Sequence, residues 1–568
     1  MPWATLGGTV YTAVGTNLKY YAEFDTLLYD ITPIRDTTAA GDATFTAVNG
    51  SATLTVTDVA HGALIGDFVT FSGAVTLGGV ITAAVLNIEY QIASIVDVNN
   101  YTITASVAAD AADVGNGGAA VVAAYQLHVG LAVQVNGTGW GAGGYGEPSW
   151  GSGSAATAAT QLRVWTQDTF GEDLVFCSRM GQLYYWDSSV GLATRAVYLE
   201  DMPGASDVPT VAFGVLVTGS RHVVAFGCNP IGAVDQDPTM VRWSDTEDAV
   251  NWTPTATNTA GGQKLATGTI ILAMRNTRQE TLIWTDLALY SMSFIGGELE
   301  FGFTLLGTPV SLVGPNAVSI VSGTAFWMGS DKFYMYNGAV VTLPCNILNV
   351  IQNNRNVGQD YQIVAGANEH FGEVTWFYCS TDSERVDSYV TYNYIDNVWF
   401  FGTMDRSAWV DATLRSTPLA ADNVNNVLVL HEIGADDVST GTPVAISSYI
   451  ESSDFDLGDG HQFMFISRVL PDVSFVGSTA GSPSLNLTLK TRNSPGQDWN
   501  ASANQPSESA ITRTASGSIY TSPIEQYTAQ AWVRLRGRQA ALRIESDGLG
   551  VAWQLGSVRL DIRPDGRR

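Results

Sequence analysis

Short runs of β-branched and aromatic residues, interrupted by Gly, Asn or Asp, recur along almost the whole of this 568-residue chain. Such runs, bounded by turn residues, are typical of β-strands, and the 3.6-residue apolar period of a helix is scarce. Apolar residues make up 45% of the sequence and charged residues only 14%, so large cores can be buried. The sequence therefore predicts an all-β protein of several domains.

Aromatic strands return at irregular intervals over residues 125–440, the region we predict to be a β-propeller-like central domain. In a propeller, short sheets with aromatic signatures bury their faces only against neighbouring sheets. The spacing is too irregular to give a blade number, and a β-sandwich remains the alternative. The strands are Leu183–Trp186, Val241–Trp243, Leu282–Trp284, Ala325–Trp327, Lys332–Tyr336, Val374–Tyr378 and Asn397–Phe401.

The region before the central domain has two parts of different composition. Residues 1–35 contain aromatic strands too short to stand alone, which we expect to pack on the central domain. Residues 36–124 contain no Trp, are rich in Ala, Val, Thr and Gly, and alternate in polarity at Ala52–Asp58. Because the aromatic pattern resumes at Tyr125, we interpret residues 36–124 as a small β-domain inserted into the larger one.

Residues 441–568 form a further set of strands in which polar and apolar residues alternate, as expected for a C-terminal β-sandwich with one buried face per sheet. From Trp532 onward there are eight arginines and four acidic residues, although the whole chain has a net charge of −27. This asymmetry suggests a basic face that meets an acidic partner, with an ordinary solvated face as the alternative. The candidate contact residues of this basic face are Arg534, Arg536, Arg538, Arg543, Arg559 and Arg563.

The remaining composition restricts partners and compartment. The strong negative charge argues against general binding to a phosphate backbone. The four cysteines are widely separated and lack the paired spacing of zinc sites. The N-terminus lacks the pattern of a secretion signal, and the uncharged stretch Phe68–Ile88 fits paired strands better than a membrane span. We therefore expect folding in a cytoplasm and no membrane span.

No stretch of the sequence carries a recognisable catalytic, cofactor-binding or metal-binding motif. There is no nucleophile elbow, phosphate loop or dinucleotide fingerprint, and His61, His222 and His431 are interpreted as structural or surface residues. Asp454–Gly460 departs from the EF-hand spacing. Ser244–Trp252 departs from the Asp box of sialidase propellers at three positions. The sequence predicts no enzyme, although a glycosidase carboxylate pair stays open.

A glycine- and aromatic-rich segment, Gly137–Ser154, precedes the central aromatic strands. Its part Gly137–Gly151, together with three further stretches, resembles the tail nozzle proteins of short-tailed bacteriophages, also called tail tubular protein B or tail stabilisation proteins. The other stretches are Asn17–Ile34, Phe170–Leu174 with Tyr184–Asp187, and Arg242–Asp245 with Asn251 and Trp252. They cover the first half of the chain, with a weaker strand likeness beyond it.

This resemblance implies a homohexameric ring below the portal and adaptor rings of a virion tail, assembled in the host cytoplasm. Such a ring extends and gates the DNA channel and contacts the adaptor ring and tail fibres. DNA passes through its lumen without specific binding, which an acidic wall favours by repulsion. Two other classes stay open: a propeller that binds or cleaves host glycans, and a trimeric receptor-recognition protein.

Overall fold

The computed structural model describes residues 1–5, 8–135, 162–297, 299–493, 499 and 517–566. It is 45% strand and 5% helix, arranged in many small antiparallel sheets, which confirms the predicted all-β fold class. The chain forms two compact units, residues 1–424 and 425–568. The glycine-rich segment Gly137–Ser154 lies outside the described residues.

Six four-stranded sheets and a hairpin make up most of the described part of the first unit, and each sheet is a simple meander. Their strands are as follows: sheet 1, β1(Pro2–Ala4), β2(Val10–Gly15), β3(Tyr20–Phe24) and β4(Leu27–Asp30); sheet 2, β12(Trp165–Phe170), β13(Asp173–Ser178), β14(Leu183–Trp186) and β15(Val197–Tyr198); sheet 3, β16(Gly214–Val217), β17(Val223–Phe226), β18(Met240–Trp243) and β19(Gly261–Lys264). The remaining strands are sheet 4, β20(Ile271–Asn276), β21(Thr281–Thr285), β22(Leu289–Phe294) and β23(Phe301–Gly307); sheet 5, β24(Val318–Val321), β25(Thr324–Met328), β26(Phe333–Tyr336) and β27(Val340–Leu343); sheet 6, β28(Val364–Asn368), β29(Glu373–Tyr378), β30(Ser388–Asn393) and β31(Val398–Thr403); and the hairpin, β32(Ala408–Val410) and β33(Leu419–Asp422).

Tight turns connect several of the neighbouring strands in these meanders. Ser322 and Gly323 connect β24 to β25 with φ values of +48° and +85°, so both residues occupy the left-handed region. A two-residue loop of that kind matches the right-handed twist of the flanking strands, and glycine adopts it without strain. The local sequence thus dictates this hairpin before the sheets meet.

Consecutive sheets pack face to face through aromatic side chains. Between sheets 1 and 2 the Tyr20 and Phe176 rings stack at 4.1 Å, and between sheets 4 and 5 Trp284 meets Trp327 edge-on at 5.6 Å. Sheet 6 continues the series, since the Phe333 ring lies 4.9 Å from that of Trp376. This burial of each sheet only against its neighbours is how propeller blades are stabilised.

The hairpin that follows sheet 6 is also connected to sheet 1. Arg415, in the loop between β32 and β33, donates a 2.8 Å hydrogen bond from its guanidinium to Thr12 Oγ1 and forms an ion pair with Glu23. Thr12 and Glu23 lie opposite each other on β2 and β3 of sheet 1. Sheet 1, which the sequence only suggested would pack on the central domain, therefore takes part in a propeller-like ring.

The inserted β-domain follows sheet 1 in the chain. Its seven strands are hydrogen-bonded in the order β5-β11-β8-β9-β10-β7-β6, around a core that includes Phe45, Phe71 and Tyr101. The strands are β5(Ile34–Thr37), β6(Thr44–Ala47), β7(Thr53–Thr57), β8(Phe68–Ser72), β9(Glu89–Asp97), β10(Asn100–Thr104) and β11(Val122–Gln126). The short helices of the first unit's described residues are α1(Ala83–Leu86) and α2(Leu348–Asn354), with 3-10 turns at Gly115–Gly117, Ser188–Val190, Leu199–Asp201 and Val357–Gln362.

Charged side chains join the inserted domain to sheets 1 and 2. Lys19 Nζ lies 2.9 Å from Asp30 Oδ2 and also pairs with Glu89, which begins strand β9 of the insert. Arg195, between β14 and β15, lies 3.0 Å from Asp30 and 3.4 Å from Glu89. Each charged group in this half-buried cluster has a partner of opposite charge. The fold therefore avoids the free-energy cost of burying an unpaired ion.

The second unit contains a β-sandwich preceded by short strands. One sheet has the order β37-β44-β41-β42, with β38 paired to β44, and the other has the order β43-β39-β46. Met464 and Ile466 of the second sheet meet Leu487, Leu489 and Ile544 of the first in one core. The strands are β34(Val427–Leu430), β35(Asp436–Asp437), β36(Val444–Ala445), β37(Ser448–Glu451), β38(Phe455–Asp456), β39(Met464–Leu470), β40(Val473–Ser474), β41(Ser484–Arg492), β42(Gly517–Glu525), β43(Ala531–Gly537), β44(Gln539–Ser546), β45(Gln554–Leu555) and β46(Arg559–Pro564).

Candidate interaction surface

Strand β43 separates its basic and apolar residues onto two faces. Ala531, Val533 and Leu535 are buried in the sandwich core, whereas Arg534 and Arg536 alternate with them and are exposed. Successive side chains of a strand point to opposite faces, so the residue pattern alone places these arginines outward.

The pairing register extends this basic surface across all three strands of the sheet. Phe465 of β39 lies between Arg536 on one side and Arg563 on the other. One row further, Arg468 lies between Trp532 and Asp561. We define the arginine face as the outer surface of this sheet, made of Phe465, Arg468, Trp532, Arg534, Arg536, Arg559, Asp561 and Arg563.

Only part of the positive charge on the arginine face is neutralised within the chain. Arg536 Nε lies 2.5 Å from Asp565 Oδ2, while Asp561 is 3.9 Å from both Arg468 and Arg563. Within the described part of the sandwich, no acidic group pairs with Arg534 or with Arg559. Five arginines thus face two aspartates, which leaves a positive surface on a chain that is acidic overall.

The expectation of one continuous face holding all six candidate arginines is corrected for Arg543. Arg538 follows β43, and its guanidinium lies 4.9 Å from the ring centre of Phe463, which the Arg536 guanidinium also approaches, at 4.0 Å. Arg543 belongs to β44 in the other sheet, where it lies 3.3 Å from Glu451 and 2.7 Å from Glu545. Although burial opposes it, these two carboxylates raise the pKa of Arg543 above its usual value. Its charge is therefore already compensated inside the fold.

Arg468 and Trp532 were missed as members of this surface when only the sequence was considered. Trp532 is 63% exposed, and the Arg468 guanidinium lies 5.7 Å from its ring centre. A bulge between Ile466 and Arg468 shifts the register and brings that arginine opposite the tryptophan. A solvent-exposed Trp within an alternating strand was the available signal, because exposed tryptophan is enriched at protein interfaces.

Residues considered for chemistry have structural roles where they are described. Asp245, from the stretch compared with an Asp box, accepts hydrogen bonds from the Thr246 and Thr259 backbone N–H groups, both at 2.9 Å, and so closes a turn. Trp252 of the same stretch is fully buried. Across the described residues there is no cluster of three or more His, Cys, Asp or Glu side chains suited to a metal ion.

His222 is enclosed in a hydroxyl network of sheet 3. Its Nδ1 lies 3.0 Å from Ser220 Oγ, and its Nε2 lies 2.8 Å from Thr246 Oγ1 and 3.1 Å from Thr259 Oγ1. Burial lowers the pKa of this fully enclosed imidazole, and the charge of Asp245 only partly opposes the effect. The neutral ring is therefore the form that the folded chain prefers.

Acidification is expected to destabilise the first unit through His222. Because its folded pKa is lowered, the unfolded chain binds the proton first, so stability is full above the unfolded pKa of about 6.5 and falls below it. The contribution is at most about 1.4 kcal/mol per pH unit. We expect His222→Gln to reduce the loss of unfolding free energy between pH 7 and pH 5, measured by urea titration.

His461→Gln is the control, because its side chain is 73% exposed. This variant should keep the wild-type dependence of unfolding free energy on pH. An equal dependence in all three proteins would contradict the role of His222.

Comparison with known proteins gives only distant likenesses. No protein-family model and no curated protein matches the chain. Among solved structures, Hsv2 of Kluyvelomyces marxianus is 11% identical with a TM-score of 0.28, over 48% of this chain and 72% of that one. The endosialidase of phage phi92 is 11% identical with a TM-score of 0.19, over 76% and 62%. A fungal alcohol oxidase of the AA5 family is 8% identical with a TM-score of 0.33, over 81% and 86%.

These TM-scores are too low for the likenesses to carry an argument about function. The functional assignment therefore depends on the residues of this chain and on their arrangement. None of the helices in the described ranges has the length and apolar character needed to cross a membrane.

Proposed function

We propose that this chain is a structural protein of a virion tail that assembles into the nozzle ring of a short-tailed phage. The observation that carries the proposal is the arginine face, a positive and aromatic surface on an otherwise acidic chain. The sequence resemblance to tail nozzle proteins supports the same assignment; it lies in residues 17–34, 137–151, 170–174 with 184–187, and 242–245 with 251–252. The proposed role needs no bond-making chemistry, so we propose that the chain is not an enzyme.

The charge distribution favours contacts between unlike surfaces of neighbouring molecules. Residues 532–568 have a net charge of +4, although the whole chain has a net charge of −27. The remaining residues therefore have a net charge of −31. A basic patch on one molecule is complementary to the acidic surface of the next, and complementary charge directs orientation as well as association. Repeated contacts between different patches close into a ring when the rotation between copies permits it.

The same charge balance suits a conduit for DNA. Affinity for the duplex depends on Lys and Arg side chains that displace counterions from phosphates. An assembly whose subunits are mainly acidic repels the phosphate backbone and lets the duplex slide without sticking. In the proposed tail the ring is a homohexamer that contacts the adaptor ring and the tail fibres, and it is assembled in the host cytoplasm.

The oligomeric state of the purified full-length chain tests this proposal directly. We expect analytical ultracentrifugation to give six times the 60.4 kDa mass of one chain, and averaged electron micrographs to show sixfold rings. Raising the salt concentration should shift the population toward smaller species, because exposed charges are screened within about 10 Å at 0.1 M salt. A stable trimer would favour the receptor-recognition alternative, and a monomer at every concentration would refute the ring.

A further inference from the structure

An open cavity of about 620 Å³ lies in the first unit, lined by turns of three neighbouring sheets. The turns connect the first and second strands of sheets 2, 3 and 4, and residues of β22 and β23 complete the wall. This volume is in the range of small-molecule sites. The principal lining residues are Asp168, Phe170, Arg221, Arg278, Glu280 and Phe294.

The two acidic groups of the lining are occupied by internal hydrogen bonds. Asp168 accepts from the Val217 N–H at 2.9 Å and from the Thr169 N–H at 2.8 Å. Glu280 accepts from the Tyr336 hydroxyl at 2.8 Å and from the Ser291 hydroxyl. These carboxylates are therefore fixed by the fold and offer little to a ligand.

The two guanidinium groups of the lining are much less committed. Arg278 is exposed and, among the residues described here, makes no side-chain hydrogen bond or ion pair. Arg221 has only a distant partner, since its Nε lies 3.6 Å from Glu247 Oε1 with both side chains more than half exposed. A guanidinium presents forked donors that match a carboxylate, and a hydrogen bond between charged groups is about twice as strong as a neutral one.

Aromatic side chains lie beside these donors. Phe294 is 56% exposed although it lines the cavity, and the Arg221 guanidinium lies 5.6 Å from the ring centre of Phe170. Ligand sites combine such apolar walls with a few placed polar groups. A sugar ring has the corresponding structure, with C–H groups on one face and hydroxyls around its edge.

We propose that this cavity binds a carboxylate-bearing sugar, with the carboxylate held by Arg278 and Arg221 and one ring face against Phe294 and Phe170. A polyphosphate ligand fits less well, because the two arginines are offset by Asp168 and Glu280 and the whole chain is strongly negative. The site is separate from the arginine face, since its residues belong to the first unit and the arginine face to the second.

Titration calorimetry of the full chain with glucuronate and galacturonate tests this site, with glucose and galactose as neutral matches. We expect the acids to bind at least tenfold more tightly than the neutral sugars and Arg278→Gln to remove about tenfold of the acid affinity. Arg221→Gln should also lower the affinity for the two acids. Arg385→Gln, an exposed arginine outside the lining, is the matched control and should bind like the wild type.

The remaining measurements separate the parts of the proposal. Equal affinity for acids and neutral sugars, no binding of either acid, or an unchanged Arg278→Gln variant overturns it. Inorganic phosphate that binds as tightly as glucuronate also overturns it, because the aromatic wall then contributes nothing. Trigalacturonate then distinguishes two ligands, and either result supports the site. Binding tighter than that of galacturonate identifies an acidic polysaccharide as the ligand. Binding equal to that of galacturonate identifies a free sugar acid. Sedimentation of the same variants should show an unchanged oligomer, so loss of sugar binding leaves the ring proposal intact.

Discussion

Replacing Arg534 and Arg559 by glutamate is expected to dissociate the proposed ring. Both side chains are exposed and have no acidic partner in the described part of the sandwich, so the change should leave the fold intact. In the assembly, each reversal places like charges against the acidic surface of a neighbour, which costs several kcal/mol at an interface. The dissociation constant should therefore rise at least about a hundredfold, measured by sedimentation of the full-length chain.

The control for this reversal is the pair Lys332→Glu and Arg385→Glu, which makes the same change in net charge. Both control residues are exposed and belong to the first unit, whereas the arginine face belongs to the second. We expect this variant to remain assembled, because general repulsion is screened whereas a specific contact is lost only at the interface. If both double variants dissociate equally, net charge rather than the arginine face governs assembly, and the proposed contact is wrong.

Trp376→Ala should cause the largest loss of stability in the first unit. The indole is fully buried in the core shared by sheets 4, 5 and 6, where it packs 4.9 Å from Phe333 and donates a 3.0 Å hydrogen bond to the Ala317 carbonyl. Removing so large a side chain leaves a cavity between two sheets, and such changes cost about 3–5 kcal/mol. Urea unfolding followed by fluorescence measures the difference.

Phe401→Ala provides the comparison, since that ring is 49% exposed on the last strand of sheet 6. We expect it to lower the unfolding free energy by at most about 1 kcal/mol. Because the aromatic contacts continue from sheet to sheet, the Trp376 variant should destabilise the first unit as a whole. A cost below 1 kcal/mol for Trp376→Ala would show that neighbouring sheets do not depend on one another in this way.

Much of the fold was predictable from local signals. The recurring runs of strand and turn residues predicted the all-β class. The alternation in β43 placed Arg534 and Arg536 on the outer face. The β43 part of the arginine face could therefore be predicted from the sequence, because successive side chains of a strand point to opposite faces and one of those faces is buried.

The sequence by itself determined the all-β class and the outward direction of the β43 arginines, since these depend on neighbours a few positions apart. Only the tertiary structure decided that Arg415 meets Glu23, that Arg543 joins the other sheet, and that Arg221 and Arg278 share a cavity. Those arrangements depend on contacts between residues distant in the chain, which form only when the sheets pack and their register is set.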